Sequence, residues 1–306
     1  MNPAHVPVMT SEVIAALAIK PGAIHIDCNI GDGGHAEAIL NASRDVFLLG
    51  IDLDADALDA AEARLSGYVS SIRLVHGNFA DVASIAVGSR ARDASGVLFD
   101  LGVSSRQLDT AERGFSFRQE APLDMRFDIE SRTTAADIVN RYPERDLEAI
   151  IRDLGEEPRA RAVARAIVRN RRIETTTELA RVVTGALNYP AHSRVHPATR
   201  TFQALRMAVN SELENLEQGL LGAIETLQKG GRLVTLTYHS IEDRVVKNLM
   251  RREAVDCICL PSAPICICDH KASVRLINRR VLTPTREEIR SNPRARSTKM
   301  RIAEKL

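Results

Sequence analysis

The stretch Asp27-Cys28-Asn29-Ile30-Gly31-Asp32-Gly33-Gly34-His35 constrains this chain more than any other. An apolar run, Ala23-Ile24-His25-Ile26, leads into it, and a helix-forming stretch follows Gly34. Strand, glycine turn and helix in that order begin a βαβ unit, the connection that parallel strands require. Gly31-Asp32-Gly33-Gly34-His35-Ala36 satisfies G-x-G-x-x-G/A, and Asp52 ends the next apolar run, where a ribose-binding acid sits in nucleotide-binding sheets. A tight turn without a ligand is the plainer reading of the glycines alone.

The same rhythm continues through the first hundred residues. Apolar runs at 46–52, 72–79 and 95–103 read as further buried strands, and the Ala-rich 55–65 as a helix between them. From about 105 to 205 the rhythm stops. Helical patterns dominate there, at 146–155, 159–172 and 176–187, joined by polar loops. It resumes with an amphipathic helix over 201–228 that Lys229-Gly230-Gly231 ends, a fifth strand at 232–240 and a helix at 241–253. Two short alternating runs, 274–282 and 298–306, suit an antiparallel pair at one sheet edge. The expectation is an α/β, doubly wound sheet formed by residues 1–104 and 206–306, with an inserted all-helical domain at 105–205.

Charge narrows the ligand. The 306 residues carry a net charge of only +1, but residues 1–70 hold 3 Lys/Arg against 10 Asp/Glu and residues 271–306 hold 11 against 3. A pyrophosphate wants a helix N-terminus with no carboxylate beside it. Here Asp27 and Asp32 flank the loop, which suits the ammonium and sulfonium of S-adenosylmethionine better than a dinucleotide. No Walker A motif occurs, so nucleotide hydrolysis is disfavoured. Asn78 and Phe79 close the third strand, where they could meet an adenine, and Asp100 closes the fourth. No apolar run reaches the ~20 residues of a membrane span, and no secretory signal precedes the first strand. The expected location is cytoplasmic, with no membrane partner.

Several longer motifs then carry a resemblance: GDGGH, DLGVSSRQLD, ERGFSF, PLDMR, HPATRTFQALRMAVNSEL, YHSIEDR and NPRARS. Over essentially its whole length the sequence resembles the bacterial methyltransferase family that methylates N4 of a cytidine in the decoding region of 16S ribosomal RNA. The resemblance implies a class I S-adenosylmethionine-dependent methyltransferase fold, Rossmann-like, with a helical domain inserted after the fourth strand. It implies cofactor contacts from Gly33, Gly34, His35, Asp52, Phe79, Asp100 and Gln107. The substrate it implies is 16S rRNA within the small ribosomal subunit; DNA is not expected, and a homodimer is compatible with it. Three departures stand out: Asn29 for the usual threonine, Arg106 for a proline, and Thr237-Tyr238-His239 where Ser-Phe-His is usual.

The exocyclic amine of cytosine is a poor nucleophile, because its lone pair is delocalised into the ring. A hydrogen-bond acceptor on its hydrogens would localise that pair; Asp100 or a nearby backbone carbonyl could supply it, with Asp124 and His239 as second candidates. Capping or bracing roles are equally open for Asp124 and His239. Cys28 is not needed as a nucleophile and reads as core. For RNA phosphates, Arg161, Arg165 and Arg169 recur at i, i+4, i+8 on one helix face, with Arg172 nearby. Arg200, Arg206, Arg294, Arg296 and Arg301 add to them, although a surface ion pair is the ordinary fate of each. Cys257, Cys259, Cys266 and Cys268 form C-x-C…C-x-C, a candidate metal set, or else a small strand pair with buried thiols. Two readings compete with a methyltransferase: a dinucleotide-dependent oxidoreductase, and a non-catalytic ribosome-assembly factor that binds RNA and retains the fold.

Overall fold

The computed structural model describes residues 7–187, 196–260 and 265–306. The chain divides into two compact units, one of Met1–Gly102 with Leu213–Leu306, the other Val103–Glu212.

The first unit is a seven-stranded sheet: β1 (Ile24–Asp27), β2 (Phe47–Asp52), β3 (Ile72–His76), β4 (Ala94–Asp100), β5 (Leu227–Thr237), β6 (Val274–Leu276) and β7 (Lys299–Lys305). Its order is β3-β2-β1-β4-β5-β7-β6. The first five strands are parallel, while β7 runs antiparallel to both β5 and β6. This is the doubly wound arrangement of class I methyltransferases, with the order reversing between β1 and β4. Consecutive residues explain the unbroken apolar runs. Leu49, Phe99 and Leu233 join one buried cluster, whereas Leu48, Leu98 and Val234 join another. Period-two alternation therefore sends neighbours into cores on opposite faces, and both faces must be apolar.

Three expectations shift. The predicted 201–228 helix breaks into Thr199–Val209 and Glu212–Thr226. At the break Ser211 is left-handed, with φ 48°. The Asn210 side chain accepts from Phe127 N at 2.7 Å and donates to Met125 O at 2.8 Å. Asparagine readily trades helix continuation for such local backbone bonds. The fifth strand also begins earlier than the expected 232. Leu227 already pairs with Ala94, and a bulge before Arg232 absorbs the glycines, with Gly230 at φ 79°. Near the C-terminus the 274–282 run contributes only three strand residues and an isolated bridge from Leu282 to Met300.

The second unit is helical, with helices Ser105–Asp109, Ala135–Arg141, Glu144–Asp153, Ala160–Arg169, Thr176–Leu187 and Thr199–Val209. Its own core gathers Leu147, Ile151, Val163, Ile167, Val183 and Leu205 among others. Thr134 and Asp137 form a reciprocal capping box that fixes the start of Ala135–Arg141. The return to the sheet unit falls at Glu212–Leu213, beyond the expected 205, because the helix break keeps Asn210 tied to the helical unit.

Candidate active site

The carboxyl ends of β1, β2 and β4 each carry an acid, and the parallel register brings all three to one edge of the sheet. Asp27 pairs in register with Gly50 and Leu98, and Asp100 with Leu236. The loop after β1 turns sharply through Gly31 (φ 52°) and Gly33 (φ 79°), conformations that cost side-chain-bearing residues free energy. Asp52 holds that loop. One carboxylate oxygen accepts from Gly31 N at 2.9 Å and the other from Asp54 N at 2.9 Å.

Electrostatics distinguish the three acids. Burial pushes the Asp27 pKa up to about 7, with the Asp100 and Asp52 charges adding to it and His35 and the Asn29 N–H opposing. Burial likewise raises Asp52 to about 6, partly offset by its backbone hydrogen bonds. Asp100 accepts a 2.6 Å hydrogen bond from the Tyr238 hydroxyl, and its other oxygen lies 3.4 Å from His35 Nε2. That last approach is ionic, without hydrogen-bond alignment, and among the described residues both His35 ring nitrogens lack a hydrogen-bond partner. Burial alone would lower the His35 pKa, but Asp100 and then Asp27 outweigh it and the net shift is upward. Asn29 Oδ1, on the same loop, is a further buried acceptor without a partner among the described residues. Desolvated carboxylates and orphaned polar atoms at the end of a switch-point sheet form a site made for a polar, cationic ligand.

A model of the MraW methylase family matches residues 2–306. The chain belongs to the MraW methylase family. It is 52% identical over 303 residues to a ribosomal RNA small subunit methyltransferase H of Dehalococcoides mccartyi, covering 99% of this chain and 86% of that protein. The protein of that name from Pelobacter propionicus is 50% identical over 309 residues, 99% of this chain and 98% of its own length. The one from Clostridioides difficile is 44% identical, covering 99% of both.

The remaining family positions fall as follows. Gly33 caps and Gly34 opens the helix Gly34–Ala42, on which His35 is buried. Phe79 stands edge-on to Phe99 with ring centroids 5.5 Å apart, so it is half core and half available. Asn78 uses its side-chain oxygen to accept from Ala80 N. Gln107 is buried in the helical unit, where it closes a capping box with Ser104. Cys28 is core, 1% exposed.

The two secondary candidates for chemistry have structural work. Asp124 clamps Arg126 through both oxygens, at 2.8 and 2.7 Å, which holds its carboxyl below the ordinary range against the opposing effect of burial. His239 caps the helix Ser240–Arg252: its Nδ1 faces Glu242 N at 3.4 Å and its Nε2 lies 3.0 Å from Glu242 Oε1. Tyr238 was not expected as a site residue. The signal for it was its place as a departure from the family's usual phenylalanine. Glu288, whose charge reaches both His35 and Tyr238, carried no signal, since more than two hundred residues separate it from the loop.

Among the arginines, Arg161, Arg165 and Arg169 are exposed along one face of Ala160–Arg169, opposite buried Val163 and Ile167. Arg165 approaches Glu144 at 3.7 Å and Arg200 approaches Glu157 at 3.7 Å. Arg206 is not available to RNA: it grips Glu212 at 2.7 and 2.9 Å and is largely buried. Arg301 is likewise held by Asp243 at 2.7 Å. Arg294 and Arg296 are exposed in a short helical turn, Pro293–Ser297, and Arg172 is exposed too. The four clustered cysteines come together, exposed or half-exposed and without strand structure among the described residues, so the buried strand pair is not formed.

Proposed function

We propose that this protein transfers the methyl group of S-adenosylmethionine to the N4 amino group of a cytidine in the decoding region of 16S ribosomal RNA, with the small ribosomal subunit as its substrate. The observation that carries the reading is the row of acids Asp27, Asp52 and Asp100 at consecutive strand ends beside buried His35. A diphosphate would be repelled there, and a sulfonium with its ammonium would relieve the two desolvated carboxylates, Asp27 and Asp52, beside the Asp100 charge. Ribosomal RNA enters through the relatives' names.

In this reading Asp52, which keeps lone pairs beyond its two backbone bonds, holds the ribose hydroxyls. Gly33 and Gly34 let the backbone approach, and Phe79 faces the adenine. S-adenosylmethionine supplies an activated methyl on a positively charged sulfur. Asp100 then has two tasks. It adds to the field that holds the cation, and it offers a lone pair to an N4 hydrogen, which localises the nitrogen's electrons and aims them at the methyl carbon. Tyr238 and His35 hold the Asp100 carboxylate in position. The cytidine must leave its stack to reach it, and the Arg161–Arg165–Arg169 face meets the phosphates. No described helix is long and apolar enough to cross a membrane.

The test is tritiated-methyl transfer to small subunits and to naked 16S RNA, followed by nucleoside mass spectrometry. N4-methylcytidine formed on subunits supports the proposal. Binding of RNA with no methyl transfer would favour the assembly-factor reading, and binding of NAD in preference to S-adenosylmethionine would favour the oxidoreductase.

A further inference from the structure

The methyltransferase site makes no use of Cys257, Cys259, Cys266 and Cys268, although the fold gathers them. Their sulfurs lie 3.5 Å apart for Cys257–Cys266, 3.6 Å for Cys266–Cys268, 3.8 Å for Cys257–Cys268 and 4.0 Å for Cys259–Cys266. All four fall within 4.8 Å of one another. Four thiolates at ~2.3 Å from a tetrahedral zinc stand about 3.8 Å apart, the edge of the tetrahedron. Disulfides would instead show two pairs at ~2.05 Å, and the cysteines are unbonded.

The rest of the loop points the same way. Ile258, Leu260, Ile265 and Ile267 are turned outward, Ile267 to 84% exposure. The alternation that would build an apolar core is thus inverted: the four sulfurs turn toward one another, although the cysteines are exposed or half-exposed, and the isoleucines turn to solvent. Among the described residues no apolar packing accounts for this arrangement. Two backbone groups cross between the two C-x-C pairs: Ile258 N–H donates to Cys268 Sγ and Ile267 N–H to Cys259 Sγ, each at 3.4 Å. Such N–H···S bonds orient ligating sulfurs and spread their negative charge. The base of the loop is tied down separately, by His270 Nε2 at 2.9 Å from Arg252 O and by Ser273 donating to Glu253.

We infer that Cys257, Cys259, Cys266 and Cys268 bind one structural Zn²⁺ ion as a closed tetrathiolate site. Binding displaces the thiol protons to solvent and forms four Zn–S bonds with no change of oxidation state. All four positions are filled by protein, so the site is structural rather than catalytic. The metal takes the place of the core that the described residues of this loop lack.

The experiment uses the full chain, expressed in zinc-supplemented medium and purified without chelator. Elemental analysis after gel filtration is expected to find about one zinc per chain. Cys257→Ser with Cys268→Ser is expected to lose it, and Cys28→Ser to keep it. Cobalt exchanged into the protein should show thiolate-to-metal charge transfer that the double variant lacks. Stripping zinc with a mercurial should speed tryptic cleavage after Arg251, Arg252 or Lys271 by about tenfold, the cost of releasing a closed segment. Should the double variant fail to fold, the parent's metal content and thiol reactivity still decide. Less than about a tenth of an equivalent of zinc, stoichiometric iron instead, disulfides in the intact mass, or four cluster thiols reacting with Ellman's reagent as fast as exposed cysteines would each overturn the inference.

Discussion

Asp27→Asn is expected to stabilise the protein in alkali while weakening its hold on the methyl donor. Asp27 is 1% exposed, and burial, reinforced by Asp100 and Asp52, lifts its pKa from 3.8 to about 7. An acid whose native pKa is raised contributes fully to stability below its unfolded value. That contribution is lost as pH climbs from about 4 to about 7 and is gone above. At ~1.4 kcal/mol per pH unit the whole window is worth about 4 kcal/mol. Asparagine keeps an acceptor for the Asn29 N–H, seen at 3.2 Å, but brings an NH2 group that needs a partner, at about 1–2 kcal/mol. The variant should therefore match the parent near pH 5 and exceed it by roughly 3 kcal/mol at pH 8. His25, whose burial lowers its pKa to about 4, gives a pH dependence of opposite sign, but it is present in both proteins and cancels in the comparison. Urea unfolding at pH 5, 6, 7 and 8 measures the difference, and calorimetry at pH 8 should show donor affinity weaker by about 2 kcal/mol, some thirtyfold. A variant less stable than the parent at pH 8, or a difference that does not change between pH 5 and 8, would refute the account of Asp27 as a desolvated carboxylate awaiting a cation.

Other outcomes follow from the same geometry. Tyr238→Phe removes the donor to Asp100 but keeps the ring against Gly102; it should lower stability by about 1–2 kcal/mol in thermal unfolding and leave methyl transfer within tenfold, since a carboxylate without that bond can still accept. Gly33→Ala places a Cβ 3.1 Å from Leu65 at φ 79°; donor affinity by calorimetry should fall, with a stability cost of about 1–2 kcal/mol. Replacing Arg161, Arg165 and Arg169 together by glutamine should reduce the salt slope of RNA binding by about 2–3 in filter assays, with donor affinity unchanged. Arg206→Ala should instead lower the melting temperature without changing the salt slope, because its guanidinium is committed to Glu212.

The sheet was legible in the sequence because its central strands lie between two apolar layers. An unbroken run such as Val46–Asp52 has no competing reading once glycines and helices alternate with it. The acids at the strand ends were legible for the same reason: a parallel sheet places them at one edge. What escaped depended on partners distant in the chain. The break at Asn210 is set by bonds to Met125 and Phe127, more than eighty residues away, and helix periodicity carries no trace of them. Arg206 was misread through the same break. On a continuous helix Glu212, six residues on, lies on a different face, and only the turn at Ser211 brings the two together. Arg161, Arg165 and Arg169 needed no such partner, and their periodicity placed them on one exposed face.

The acidic edge also explains why the glycine loop alone was ambiguous. Gly31 and Gly33 provide a tight turn and bare backbone, which serve a pyrophosphate or an adenosine equally well. The choice is made by what the loop encloses. Burial raises the proton affinity of Asp27 and Asp52, the Asp100 and Asp52 charges add to it at Asp27, and His35 meets only part of that charge, with its ring nitrogens poorly aligned. The unliganded site is thus destabilised by its own field, at a cost the rest of the fold must offset. A diphosphate would deepen that cost and a cation would relieve it. The same arrangement that weakens the empty protein at high pH selects the ligand, which is why the stability and affinity of Asp27→Asn should move in opposite directions.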